Sequence, residues 1–272
     1  MPVRSRSSAA LPRAALSHGD CCARLDGEVE AFAALIRDGD LAVRVPWSRT
    51  WRLANLVHHV GAIHRWATNI VAVDARRYLP VRDTDDWSDE FIDTGADRWL
   101  RAGGDRLLSV LQDADPDRRV WAWGVDQHVR FWSRRMLHET GIHRADIELT
   151  LGLSRRFDPV AAGDGVSEFL ENLWRARAWK RGMGALSGDG QRIVFQAADT
   201  GERWLVIRHP KGFDWDRHPA GSRMRVPADA TVRAAVADLY LLVWRRLPLD
   251  GNTITTRGDD ELLRHWYRHS TV

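Results

Sequence analysis

The sequence predicts an α+β fold, an N-terminal four-helix bundle followed by a smaller C-terminal α/β domain. Three observations carry this. Four long segments before residue 152 repeat apolar side chains at helical spacing, so each can bury one face against the others. Beyond Gly184 that period gives way to short runs of β-branched and aromatic residues punctuated by turns. The 272 residues, 44% hydrophobic and 28% charged, suffice for two such units with real cores.

In chain order, residues 1–17 are rich in Arg, Ser and Ala and read as a mobile tail. "CCARLDGEVEAFAALIRDG" spaces Leu25, Val29, Phe32 and Leu35 or Ile36 as a helix that Gly39 stops. The turn "VPWSRT" leads to a second helix, from about Thr50 to Ala72, with the stripe Leu53, Leu56, Val60, Ile63, Ala67 and Ile70. After the acidic loop "RDTDDWSDE" a third helix is expected from Phe91 to Leu111, and a fourth from Gln127 to Leu151. "DGVSEFLENLWRARAWKRG" reads as a fifth helix. "QRIVFQAA" and "ERWLVIRHP" flank a turn and predict a hairpin. "ADATVRAAVADLYLLVWRRLP" reads as one apolar helix, followed by a brief strand at Asn252–Thr256 and a last helix at Asp259–His269. The expected division is a tail (1–17), a helical domain (18–184) and a small α/β domain (185–272).

Composition narrows the function classes. A formal charge of +3, with 40 basic against 37 acidic residues spread along the chain, lacks the basic stripe of a nucleic-acid binder. No window reaches the roughly 20 apolar residues of a membrane span, and the start lacks the apolar core of a secretion signal, so a cytoplasmic protein is expected. The two cysteines, Cys21 and Cys22, form neither a disulfide framework nor a metal knuckle, and any thiol chemistry is expected to use an external thiol. The 14 tryptophans are expected mainly in the core or in the walls of a cleft.

"HETGIHRAD", residues 138–146, concentrates the chemistry. Glu139 and His143 stand one helical turn apart, about 40° around the axis, with Trp132, Met136, Ile142 and Asp146 on the same face. His138 lies about 100° from Glu139 and faces elsewhere. On the second helix His59 borders the apolar stripe and His58 lies nearly opposite, while His64 on the other border is the reserve candidate. His59, Glu139 and His143 together would suit zinc or another divalent metal, with a position open for water or substrate. The competing reading is a set of ordinary interior histidines. Asp146, one turn past His143, is placed to fix that imidazole's tautomer.

"VPWSRTWRLANLVHHVGAIHRWA", "MLHETGIHRADIELTLG" and "DPVAAGDGVSEFL" resemble the maleylpyruvate isomerase family of mycothiol-dependent enzymes, within the wider DinB-like metal-binding bundles. The likeness continues through "ADATVRAAVADLYLLVWRR" and covers most of the chain after residue 20. It implies a DinB-like bundle, metal ligation by His59, Glu139 and His143, and mycothiol as the thiol. Two departures stand out. "VPWSRTW" keeps Pro46 but lacks the cysteine and glycine of a "CPGW"-like turn, and "LLVWRR" has Arg245 where the family's "LLLWGR" has glycine. Arg246, retained from that pattern, is the candidate catalytic residue, reaching an acidic substrate or the thiol across the cleft; Arg134 and Arg135 are weaker candidates.

A thiol has a pKa of about 8.5, so at neutral pH it needs help to become the nucleophilic thiolate, and zinc can supply that help. The resemblance then implies either cis–trans isomerisation of an unsaturated acidic substrate, by reversible addition of the thiolate, or its transfer to a small electrophile. Two other classes remain: a different DinB-type activity such as thiol-independent hydrolysis, and a noncatalytic small-molecule-binding protein.

Overall fold

The protein, described here by a computed structural model, is defined over residues 16–81, 95–173, 175, 183–222 and 227–271. The acidic loop, the first turn of the expected third helix and the end of the expected fifth fall outside these residues. So does the tail up to residue 15; Leu16 is buried, and Ser17 caps the first helix by accepting the Asp20 N–H.

The bundle comprises α1 (His18–Ile36), α2 (Leu53–Ala72), α3 (Ala96–Asp113) and α4 (Val129–Thr150). Each of α1 and α2 packs on both α3 and α4. The predicted stripes are the buried ones: Leu25, Val29, Phe32 and Ile36 on α1, and Leu53, Leu56, Val60, Ala67 and Ile70 on α2. Ile63 is the exception, half-buried at the wall of a cleft. Gly61 lets α3 approach closely, because a Cβ there would collide with the Trp99 ring. His58 stacks on that same indole, with ring centroids 5.8 Å apart, and this turns the neighbouring His59 toward the bundle's other side.

The second unit is a five-stranded sheet in the order β3-β2-β1-β4-β5, built from β1 (Arg192–Ala197), β2 (Arg203–His209), β3 (Gly212–His218), β4 (Ala230–Ala234) and β5 (Thr255–Gly258). The β1–β2 hairpin is present as expected, and β4 runs parallel to β1 while the other pairs are antiparallel. One face is covered by α5 (Pro159–Leu173), α6 (Val236–Val243) and α7 (Asp260–His269), which share a single apolar cluster with Ile193, Phe195, Trp204 and Val232.

Three strands depart from expectation; the simplest case is β5, which lies at Thr255–Gly258 rather than at Asn252–Thr256. The segment read as the start of a long apolar helix divides: Ala230–Ala234 pairs with β1, and the helix begins only at Val236. The β-branched pair Thr231 and Val232 suits a strand, and docking beside β1 overrides the helical preference of the alanines around it. β3 was not anticipated, and it pairs with β2 from Gly212 to His218 across a tight turn. The expected α+β architecture, four-helix bundle plus mixed sheet and helices, is the one observed.

Candidate metal centre and cleft

α2 and α4 run antiparallel. Their facing side chains meet as His59 with Glu139 at one end and as Trp66 with Trp132 at the other. Between them and the second unit lies a cleft of about 630 Å³, with the end of α6 on its far wall.

Glu139 is the hub. Its Oε1 lies 3.0 Å from His59 Nε2 and 3.2 Å from His143 Nε2, and its Oε2 accepts a bond from Arg135 Nη2 at 2.8 Å. One ligand atom from each of His59, Glu139 and His143 falls within 4.8 Å of the other two. The three residues that the sequence singled out are therefore brought together at the cleft wall. Burial would raise the Glu139 pKa, but hydrogen bonds from His143 and His59 and the Arg135 charge outweigh it and hold the carboxyl well below its ordinary range.

Asp146 is fully buried, and its Oδ2 accepts the His143 Nδ1–H at 2.8 Å. A carboxylate can only accept, so Nδ1 carries its proton toward Asp146, and Nε2, 3.2 Å from Glu139 Oε1, donates to that second carboxylate when the ring is doubly protonated. Burial opposes charging of His143, yet the bonds to Asp146 and Glu139 prevail and raise its pKa. Asp146 has a second partner. Arg246, from the turn after α6, reaches it through Nε and Nη2, both at 2.9 Å, and lies over the Trp47 ring at 4.6 Å. Arg246 thus lines the cleft with most of its donors engaged, since Nη1 bonds the Trp244 carbonyl at 2.8 Å.

That turn has a definite geometry. Arg245 N–H bonds Leu242 O and Arg246 N–H bonds Leu241 O, the two bonds of a Schellman helix end. Its left-handed residue is Arg245, with φ 61°. The glycine of the family pattern belongs at such a position, and Arg245 occupies it under strain.

The other candidates resolve differently. His138 is buried away from the ligand set, with its Nε2 2.9 Å from Asp164 and its Nδ1 3.1 Å from the Tyr240 hydroxyl. His64 is fully buried against Thr140 Oγ1 at 2.8 Å, and burial lowers its pKa to about 4. Arg134 pairs with Asp164 and Glu171. Arg135, ranked low from the sequence, turns out to join Glu139 to Glu168 on α5, and Trp244 lies under its guanidinium at 4.8 Å. Its position four residues before Glu139 was the available signal, since that spacing places both on one helix face.

The chemistry of the donors fits a divalent cation: two imidazole nitrogens and a carboxylate oxygen of fixed protonation, open to a cleft. Six tryptophans line the cleft, and Trp47 and Trp51 sit beside the ligand histidines. Trp47 and Trp51 come from the turn before α2, which is held by the Val45 N–H to Trp51 O bond at 3.1 Å.

Comparison with known proteins agrees with this architecture. Residues 22–148 match the model of the mycothiol maleylpyruvate isomerase N-terminal domain, and residues 160–265 match that of the C-terminal domain of the same family. Among solved structures, the mycothiol-dependent maleylpyruvate isomerase and a His-to-Ala mutant of it each superpose with a TM-score of 0.57 at 14% identity, covering 89% of this chain and 93% of theirs. A search of curated proteins finds no match.

Proposed function

The chain belongs to the mycothiol maleylpyruvate isomerase family of enzymes, and from that premise we propose a mycothiol-dependent metalloenzyme acting on a small electrophilic or unsaturated acidic substrate, by cis–trans isomerisation or by S-transfer. The observation that carries the reading is the meeting of His59, Glu139 and His143 at the wall of an open cleft. These three would hold the metal, zinc by its preference for such donors, and when bound it supplies Lewis acidity that favours a thiolate at neutral pH.

The chain's own groups prepare that corner. Asp146 keeps the Nδ1 proton on His143, so that Nε2 is the nitrogen that would donate its electron pair once a metal replaced its proton. Arg135 binds one oxygen of Glu139 and keeps the carboxylate charged, leaving the other oxygen turned toward the histidines. Arg246 holds Asp146 in place and brings a guanidinium to the substrate side of the cleft. Trp47 and Trp51 pack their rings beside the two histidines at that end of the cleft. A site that borders a cleft favours a catalytic role over a binding protein that encloses its metal.

In this reading residues 18–184 hold the metal ligands and residues 185–272 supply the opposite wall, and the protein works in the cytoplasm without nucleic acid. No helix among the described residues is long and apolar enough to cross a membrane. The test combines metal analysis with calorimetry: the purified protein carries one zinc per chain, and the zinc-loaded form binds mycothiol while the chelated form does not. Absence of stoichiometric metal overturns the metal assignment, and failure of mycothiol to bind overturns the cofactor. Mass spectrometry of reactions with candidate electrophiles then separates a retained thiol adduct from thiol reuse.

A further inference from the structure

We propose that the end of the cleft away from the metal ligands is a preformed aromatic chamber, and that the substrate is a planar, conjugated, ring-bearing electrophile. This rests on reading the cleft as the substrate site and deepens it by naming a class.

The chamber is built by helix periodicity. On α2, Ile63 and Trp66 follow His59 by four and seven residues; on α4, Met136 and Trp132 precede Glu139 by three and seven. Seven residues advance a helix by about 10 Å, so the aromatic end lies some two turns from the ligands, a span that takes a two-ring skeleton. Trp123, Phe169 and Trp244 complete the wall.

These rings are held rigidly. Trp66 and Trp132 meet edge to face at 5.2 Å, with Trp121 behind Trp66 at 5.8 Å and Phe131 behind Trp132 at 5.3 Å. Their polar ends are already satisfied, because the Trp66 indole N–H bonds Leu79 O at 2.8 Å and that of Trp132 bonds Trp121 O at 2.9 Å. Trp66 offers a ligand only ring surface, with Trp132 fully buried behind it as backing, and that surface suits flat π-systems and gives the hydroxyls of a sugar-bearing thiol no hydrogen-bonding partner. The thiol's polar part therefore belongs at the mouth, near Arg245 and Thr271.

An anionic group on the substrate has a cation to meet. Of the three arginines lining the cleft, Arg135 is committed to Glu139 and Glu168, and Arg246 to Asp146. Only Arg245 lacks a carboxylate partner among the described residues; its Nη1 bonds the Arg268 carbonyl at 3.4 Å.

The experiment is calorimetry on the full chain, zinc-loaded and chelated, with 2-naphthoate and maleate as probes. 2-Naphthoate binds both forms about ten-fold or more tightly than maleate does, the scale expected from burying an additional ring. Ile63→Trp, which fills the chamber, weakens 2-naphthoate by about the same factor while circular dichroism and zinc content stay unchanged. Ile63→Phe serves if the larger side chain prevents folding. Maleate binding as tightly as 2-naphthoate, or 2-naphthoate binding unaffected by the filled chamber, overturns the proposal, as does failure of 2-naphthoate to bind. Because 2-naphthoate needs neither metal nor thiol, loss of the metal or mycothiol assignment leaves this result standing, and the reverse holds too.

Discussion

Arg246 closes a two-point ion pair on Asp146, with both contacts at 2.9 Å, and so ties the second unit to the residue that orients His143. Removing Arg246 leaves a fully buried carboxylate with His143 alone. Arg246→Ala is expected to lower stability by about 3 kcal/mol, as for other broken buried pairs, and to weaken metal binding roughly ten-fold through the disturbed ligand. Denaturant unfolding and chelator competition measure the two effects. A further fall in turnover at saturating metal is expected from the lost guanidinium in the cleft. Unchanged turnover under those conditions would leave Arg246 as a clamp on Asp146 only.

The ligand set makes a sharper division among histidines. His59→Ala, Glu139→Ala and His143→Ala should each lose stoichiometric metal, whereas His58→Ala and His138→Ala should keep it. His138→Ala carries its own cost, because Asp164 and Tyr240 lose a partner in the interior. That cost is about 2 kcal/mol of stability, the usual penalty for buried groups left unpaired. Metal content and thermal unfolding measured on the same samples distinguish the two classes, and metal retained in all three folded ligand variants would refute the site.

Much of this was legible because the decisive spacing is local. Glu139, His143 and Asp146 share one face of one helix, and the aliphatic stripe of α2 places His59 toward it. The family likeness then chose between a metal site and ordinary interior histidines. Pairings between distant elements left no such mark: nothing in the sequence joins Arg135 to Glu168 or His138 to Asp164, since their contact depends on how α4 and α5 cross. β4 was hidden for a related reason. Five residues are too few for alternation to outweigh the alanines that follow, and only the docking against β1 decides.

Buried His64 gives the fold an acid sensitivity. Its pKa is lowered from 6.5 to about 4 by burial, so between those values the unfolded chain binds the extra proton. The stability it contributes is complete above pH 6.5 and is lost as pH falls toward 4, by about 3 kcal/mol over the window at 1.36 kcal/mol per unit. Urea titrations of the chelated protein across this range should show the loss, and His64→Gln, which keeps a polar group facing Thr140, should flatten it. An equal acid slope in the variant would assign the effect to other groups.

Arg245 sits where glycine costs nothing. In the left-handed region a side chain pays about 1 kcal/mol, so Arg245→Gly should stabilise the protein by that amount and raise its melting temperature by roughly 2 °C. If the guanidinium is the cleft's available cation, the same variant binds 2-naphthoate more weakly and leaves neutral 2-naphthol unaffected. Stabilisation without any change in anion binding would mean that the strained arginine has no part in recognition.

The source of the thiol is the last point at which the chain can be tested against itself. Cys21 and Cys22 lie on α1 with 1% and 2% exposure, and neither lines the cleft. Burial pushes their pKa values up to about 12 and about 11, so at neutral pH both are protonated and poorly nucleophilic. A Cys21→Ser/Cys22→Ser double variant should therefore keep full thiol-dependent turnover, apart from a stability loss of about 1–3 kcal/mol from placing two hydroxyls in an apolar layer. Assays below the variant's melting temperature separate the two effects. Activity that disappears with the cysteines in a folded, zinc-loaded variant would mean that a protein thiol takes part, and the external thiol would no longer be needed to explain the chemistry.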